Sequence, residues 1–390
     1  MENKQGVKVL IAGSFLQLFL GIIYVWSVFV MPVSQFYSWD ASGVKLMSSY
    51  MLSFFVVGIL VGGKLQPKIG SEKTVLLGGL MLAGGMLASS FIPAGQVWLM
   101  YVTYGIIGGF GVGAGYNTVI SAAQKWFPKK RGLATGIGVC AFGFSTVLFA
   151  PLIEGLIGSY GVVNTFRILA AAFFIVVVAL FKFIKTPQDT GSAASAAVSG
   201  KQYTTSEALK TKEFYFITFS MMFLTASYFI LNPSFKSLFE SAPALGTALV
   251  MISGVANALG RLGVPMLSDK IGREKAIIVI TLATALCTAF LYFSPNPWIK
   301  ITLVAVIAFC YGGSSGVYPV LTADYFGIKN VGANYGAIMM GFAASALLFP
   351  MIMSLVADLI VKSVILAVVA AVGAVLMMLL MKSKKAADIK

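Results

Sequence analysis

Pro67-Lys68-Ile69-Gly70-Ser71-Glu72-Lys73 and Asp269-Lys270-Ile271-Gly272-Arg273-Glu274-Lys275 agree at five of seven positions, at an offset of 202 residues in a chain of 390. Each copy joins one long apolar run to the next. A second pair of stretches echoes the first: two glycine-bearing runs end in aromatic pairs, Trp126-Phe127 and Tyr325-Phe326. Self-similarity at about half the chain length is the mark of an internal duplication. In membranes that architecture belongs mainly to secondary transporters.

Outward from these turns, apolar runs long enough to span a bilayer, about 20 residues each, begin near Val9, Leu46, Thr74, Val97, Leu133 and Thr165, and again near Phe214, Pro243, Ala276, Ile301, Gly332 and Ser363. The expected fold is therefore an all-α membrane protein of twelve transmembrane helices in two pseudo-symmetric six-helix bundles. Composition agrees. The chain is 58% hydrophobic and 11% charged, with a mean hydropathy of +0.91, and a soluble chain carries about 25% charge. The run Val9–Met31 exceeds a signal-peptide core and precedes no small-residue cleavage site, so it is expected to stay as a span. Cys140, Cys287 and Cys310 sit inside apolar runs, which argues against a disulfide framework, and the chain has no histidine, so no metal or other cofactor is expected.

The expected domains are residues 1–184 and 214–390, joined by a linker over 185–213 whose middle, Gly191–Gly200, is small and polar. Its end, Thr205–Thr211, begins with a helix-cap pattern and is expected to lie along the membrane surface. The net charge of +15 fits topology better than nucleic-acid binding, and no nucleic-acid partner is expected. With the N-terminus inside, 22 Lys and Arg fall on cytoplasmic segments and five (Lys45, Arg167, Lys236, Lys300 and Lys362) outside. The positive-inside rule then places both termini in the cytoplasm of a multi-pass protein of the cell membrane.

Arg261 is the cation left over. It lies in span 8, about 12 Å of helix from Asp269, and arginine keeps its charge at any accessible pH. At the centre of a span such a charge costs about 2.5 kcal/mol or more unless water or a partner meets it. Its own span offers no acid, with Asn257 at the i−4 position, and Glu154, Asp324 and Asp358 fall near span ends. The guanidinium fork suits a carboxylate held bidentately, so Arg261 is the expected binding residue for a small organic anion, with snorkelling or pairing to Glu154 or Asp324 as the alternative. Tyr24, Tyr116, Asn117, Tyr311 and Tyr318, with Asn257, are expected to complete a cavity between the bundles, together with Gln17, Trp26, Ser27, Tyr228, Asn232, Ser314 and Ser315 at similar depth. Trp98 and Trp298 read as interfacial anchors. Gly105 to Gly115 in span 4 and Gly312, Gly313 and Gly316 in span 10 predict close helix packing.

The turn Asp269-Lys270-x-Gly272-Arg273 resembles the loop signature of the major facilitator superfamily, Gly-x-x-x-Asp-Arg/Lys-x-Gly-Arg/Lys, with Pro265 in place of the first glycine; the copy after span 2 keeps Gly63 but has Pro67 and Ser71 for the acid and second base. The resemblance implies the major facilitator fold and a gating role for Asp269, Lys270, Gly272 and Arg273. Gly21-x-x-Tyr24-x-Trp26-Ser27-Val28-Phe29, Lys125-Trp126-Phe127-Pro128-x-x-Arg131-Gly132, Arg261 and Asn334-Tyr335-Gly336 are similar to the oxalate/formate antiporter family, itself related to the monocarboxylate transporters. That likeness implies a carboxylate-binding role for Arg261 and cavity lining at Tyr24, Tyr116 and Tyr318. Oxalate carriers of this kind have a lysine shortly after Asn-Tyr-Gly; here Ala337–Ser345 carries no charge. One cation suits a monoanion, because a dianion would leave net buried charge. Animal monocarboxylate transporters have an acid where Asn257 stands, so their proton-carrying arrangement is not present here and the residue that would carry a proton is left open. The expected protein is a monomeric secondary carrier in the lipid bilayer, moving a lactate-, pyruvate- or formate-type anion by alternating access with proton coupling. An oxalate/formate-type exchanger using a counter-anion and a non-transporting carboxylate sensor are the alternatives, and no enzymatic activity is expected.

Overall fold

A computed structural model describes residues 2–187, 202–232, 237–239, 243–291, 293, 296–353 and 355–388; the expected flexible stretch Gly191–Gly200 lies outside them. Every regular element among the described residues is helical. The first compact unit comprises Met1–Gln202 with Gly327–Ala337, and the second Tyr203–Phe326 with Ile338–Lys390. The division departs from the one expected over 1–184, 185–213 and 214–390, because the start of a late helix packs on early ones.

In the first unit, α1 (Glu2–Leu20) passes through a tight turn at Gly21–Tyr24 into α2 (Trp26–Tyr37). The break falls where Gly21 lies against the Phe142 carbonyl and Ser145, too close for any side chain. Then come α3 (Ala41–Ile69), α4 (Ser71–Ser89), a π-type turn at Tyr101–Gly108 that runs into α5 (Gly109–Trp126), and α6 (Arg131–Leu180). Although continuous by hydrogen bonding, α6 turns at Gly161 (φ 74°, ψ 170°) and so holds two spans. The backbones of α3 and α5 touch: a methyl at Gly58 would collide with the Phe110 carbonyl, and one at Gly113 with that of Phe55. The glycine run of span 4 is thus a packing seam. Val9, Ala12, Leu16, Val75, Val119, Ala122 and Val177 form a core between α1, α4, α5 and α6. A second buried cluster stacks Trp26, Phe29, Tyr104 and Phe166, with Trp26 Nε1 donating to the Val44 carbonyl at 2.8 Å.

The second unit starts with the short α7 (Thr205–Ala208), whose Thr204 and Glu207 form a reciprocal capping box. It continues through α8 (Lys212–Leu231), α9 (Pro243–Ile271), α10 (Arg273–Phe290), α11 (Pro297–Phe326), α12 (Val331–Met353) and α13 (Leu359–Asp388). Leu231, Leu249, Leu291, Ile301, Val304 and Ile307 make one core cluster, and Ala226, Phe349, Met353 and Leu366 another. The first residues of α12, up to Ala337, belong with the first unit. There Gly332 sits against Gly63, and Gly336 lies so close to Leu60 of α3 that a Cβ would meet the Leu60 Cα at 2.5 Å.

The duplicated turns share their backbone. Gly70 (φ 89°, ψ 159°) and Gly272 (φ 95°, ψ 149°) cap α4 and α10 in a conformation that L-residues rarely adopt, which explains the glycine common to both copies. Eight helical segments among the described residues are long and apolar enough to cross a membrane. With α1 and α2 taken as one span, α6 as two, and α4, α9 and α10 added, the described residues hold the twelve expected long segments. Outer faces carry large apolar side chains, Met251 68%, Met351 71% and Leu355 86% exposed. Patches of that kind would aggregate in water and suit lipid.

Candidate functional site

Arg261 lies about two-thirds of the way along α9 and is only 4% exposed. Its Nε donates to Asn257 Oδ1 at 2.9 Å, one helical turn earlier. The Asn257 amide donates in turn from Nδ2 to the Tyr228 hydroxyl on α8, at 3.4 Å. The Tyr228 ring stacks on Tyr311 of α11, with centroids 3.9 Å apart and planes within 9°. Phe229 packs edge-on against both Tyr311 and Phe342, completing an aromatic wall. A buried charge costs several kcal/mol unless hydrogen-bonded, and the neutral amide of Asn257 supplies a bond without cancelling the charge.

Close packing of α9 on α11 sets the depth of this group. A methyl at Gly260 would collide with the Phe309 carbonyl, and one at Gly312 with that of Asn257. Three expected site residues, Asn257, Arg261 and Tyr311, therefore occupy one neighbourhood of the second unit. Tyr318, two turns along α11 from Tyr311, is fully buried, and its hydroxyl shares a 3.0 Å hydrogen bond with Ser220 Oγ of α8. Ser314 donates to the Tyr311 carbonyl at 2.7 Å.

Tyr24, Tyr116 and Asn117 belong to the first unit. Tyr24 and Tyr116 both meet Phe142 edge-on, at 5.5 and 4.7 Å, and Tyr116 also meets Phe55. Gln17 is buried on α1 and donates to the Tyr116 carbonyl at 3.0 Å. Asn117 is 1% exposed, and its Nδ2 bridges two backbone carbonyls, Ile59 at 2.9 Å and Gly332 at 2.7 Å. That amide is a clasp between α5, α3 and the start of α12. Trp98 and Trp298 are 58% and 64% exposed, as side chains at a membrane interface are.

The expected gating residues form a charged cluster at the α9–α10 turn. Arg273 pairs with Asp269 at 2.5 Å and with Asp324 Oδ2 of α11 at 3.2 Å, and donates to Ser268 Oγ at 2.9 Å. Gly272 supplies the turn that points Arg273 back at these partners, while Lys270 is exposed. Beside them the Tyr325 hydroxyl donates to Glu274 at 2.9 Å. At the equivalent turn of the first unit the positions of Asp269 and Arg273 are held by uncharged Pro67 and Ser71: Gln66 Nε2 donates to Ser71 Oγ at 2.8 Å, and Ser121 Oγ to Gln66 Oε1 at 2.6 Å, while Glu72 pairs with Lys185 at 3.7 Å.

From sequence Tyr228 is a candidate cavity residue and Asp324 a possible partner of Arg261; the pairing of Asp324 with Arg273 and the link from Tyr228 to Asn257 are seen only in the structure. For Asp324 a signal existed, since it precedes Tyr325-Phe326 as Lys125 precedes Trp126-Phe127. Tyr228 is joined to Arg261 only through Asn257 and across two helices, a link that no spacing along the chain encodes.

Two bundles built from duplicated helices, with a motif-bearing charged turn and an apolar exterior, define a multi-pass membrane carrier. The model of the Major Facilitator Superfamily matches residues 10–350 and 266–389, and the chain belongs to that family. It is 27% identical over 346 residues to an MFS-type transporter of Escherichia coli, YhjX, covering 87% of this chain and 85% of that one. It is 27% identical over 331 residues to the oxalate:formate antiporter of Oxalobacter formigenes (81% and 76% covered), and 25% identical over 347 residues to monocarboxylate transporter 13 of Rattus norvegicus (83% and 79%). Among solved structures, the fucose:proton symporter of Escherichia coli superposes with a TM-score of 0.70 at 12% identity, covering 96% of this chain and 98% of that one; this likeness shows the fold. The chain is a transporter, not an enzyme.

Proposed function

We propose that this transporter moves a small monocarboxylate of the lactate, pyruvate or formate type across the cytoplasmic membrane by alternating access, with Arg261 binding the carboxylate. The observation that carries the reading is Arg261 itself: a permanent charge, 4% exposed within a membrane-spanning bundle, held through Nε by a neutral amide beside stacked tyrosines. A guanidinium so placed offers charge-assisted, bidentate hydrogen bonds to a carboxylate. Asn257 and Tyr311 line that position; Tyr24, Tyr116, Asn117 and Tyr318 are proposed as further binding or supporting groups. Asp269, Lys270, Gly272 and Arg273 are proposed as the cytoplasmic gate, which the double pairing of Arg273 supports. Both termini lie in the cytoplasm on this reading, from the Lys and Arg distribution, and the carrier works as a monomer coupled to protons.

The test is uptake of labelled lactate, pyruvate, formate and oxalate into proteoliposomes, with and without an imposed pH gradient. Monocarboxylates are expected to outrun oxalate and to accumulate with the gradient, and both Arg261→Ala and Arg261→Lys are expected to abolish uptake. Retained uptake in Arg261→Ala removes the basis of the proposal. The 27% identity to an oxalate:formate antiporter favours one other reading, exchange of oxalate. A clear preference for oxalate, with uptake driven by internal anion rather than by pH, would establish that reading and refute the argument from the uncharged Ala337–Ser345 stretch.

A further inference from the structure

We infer that Tyr228 is a positioning residue that sets the plane of the Arg261 guanidinium through Asn257, so that a carboxylate meets a fork already oriented. The inference rests on the reading of Arg261 as the carboxylate site. An arginine side chain has many rotamers, and the hydrogen bond from Nε to Asn257 Oδ1 at 2.9 Å fixes its last torsions. That bond exists only while the Asn257 amide presents oxygen rather than nitrogen to Arg261. A side-chain amide can rotate by half a turn with little change of shape, so its neighbours decide which atom faces where. Arg261 Nε, which can only donate, selects the oxygen, and the Tyr228 hydroxyl, accepting from Asn257 Nδ2 on the other side, holds the plane of the amide.

The hydroxyl is itself held in place. The Tyr228 ring lies flat on Tyr311, 3.9 Å away and nearly parallel, so it cannot swing without breaking the stack. Asn257 is pressed against Gly312, where an added Cβ would stand 2.8 Å from Asn257 Oδ1. Three helices, α8, α9 and α11, thus contribute to the orientation of one guanidinium. Binding to a preoriented group forfeits less conformational freedom and so is tighter. The Asn257–Tyr228 bond is long at 3.4 Å, which sets the expected effect of losing it at severalfold.

The experiment is a double-mutant cycle in proteoliposomes with labelled pyruvate, or whichever monocarboxylate the protein takes up best, reading KM and Vmax separately. Tyr228→Phe keeps the ring and its stack and removes only the hydroxyl. It is expected to raise KM about three- to fivefold with Vmax unchanged, the size of a weak hydrogen bond. Asn257→Ala is expected to raise KM about tenfold or more, as a bond to a charged group is lost. The double variant should match Asn257→Ala alone, because Tyr228 acts through Asn257. If Asn257→Ala does not fold, Asn257→Ser replaces it in the cycle. A wild-type KM in Tyr228→Phe, or effects that multiply in the double variant, overturns the relay while leaving Arg261 as the binding residue. Full uptake in Arg261→Ala removes both the relay and the reading beneath it, so the two failures are distinct.

Discussion

Replacing Gly312 with alanine tests the seam that carries Arg261. The new methyl would collide with the Asn257 carbonyl and stand 2.8 Å from Oδ1 of the same residue, where about 3.5 Å is needed. Backbone cannot yield as a side-chain tip does, so α9 and α11 must part. Overpacking of this kind costs about 1–3 kcal/mol, and a collision with main chain belongs at the upper end. At about 2–4 °C per kcal/mol for a body of this size, the melting temperature in detergent should fall by roughly 5–10 °C. Uptake should fall with it, since Asn257 is the residue displaced. The control is Gly254→Ala, also on α9, where nothing lies within 4 Å of the added Cβ. That variant should be neutral or gain up to about 1 kcal/mol from helix propensity. If Gly312→Ala melts and transports like Gly254→Ala, the account of Arg261 being held by backbone contact is wrong.

Two further outcomes follow from other contacts. Asp324→Asn removes one carboxylate from the Arg273 cluster, whose members are 13–21% exposed; the expected loss is about 1–3 kcal/mol, between surface and buried pairs, read as a lower melting temperature, and Arg273→Gln, which also breaks the pair with Asp269, should lower it further. Asn117→Ala leaves the Gly332 carbonyl without its 2.7 Å donor, at about 1–3 kcal/mol, and hydrogen exchange should quicken at Val331–Ala337 while α13, which packs on α8 and α10 instead, keeps its protection.

The fold was legible because its evidence is local and repeated. Apolar runs of bilayer length mark spans wherever they occur, and the Lys-Ile-Gly core of both turns encodes a positive-φ cap that Gly70 and Gly272 display. Arg261 was legible as a residue, being an ionised group in an apolar run. Its surroundings were only partly so: Asn257 is visible at i−4 and Tyr228 as a polar group at similar depth, but the bond from Asn257 to Tyr228 and the stack of Tyr228 on Tyr311 cross between helices. Asn117 stood out as a polar group at depth, yet whether its amide meets a ligand or a carbonyl depends on neighbours far along the chain, and the structure shows two carbonyls. The assignment of Gly327–Ala337 to the first unit has the same origin, because the Gly332–Gly63 contact joins positions 269 residues apart, from 63 to 332.

The two descendants of the duplicated turn have diverged in kind. One holds its helices with part-buried ions, Asp269, Arg273 and Asp324; the other with the neutral groups Gln66, Ser71 and Ser121 and a more exposed pair, Lys185 with Glu72, at 3.7 Å. Mobile electrolyte screens charge over a Debye length of about 8 Å at physiological ionic strength, and it hardly touches hydrogen bonds between neutral amides and hydroxyls. Concentrated salt therefore strips the exposed Lys185–Glu72 pair first and leaves the amide and hydroxyl contacts of that copy, while its twin depends on charges that burial partly shields, giving an ancestral symmetry an unequal response to the surrounding medium.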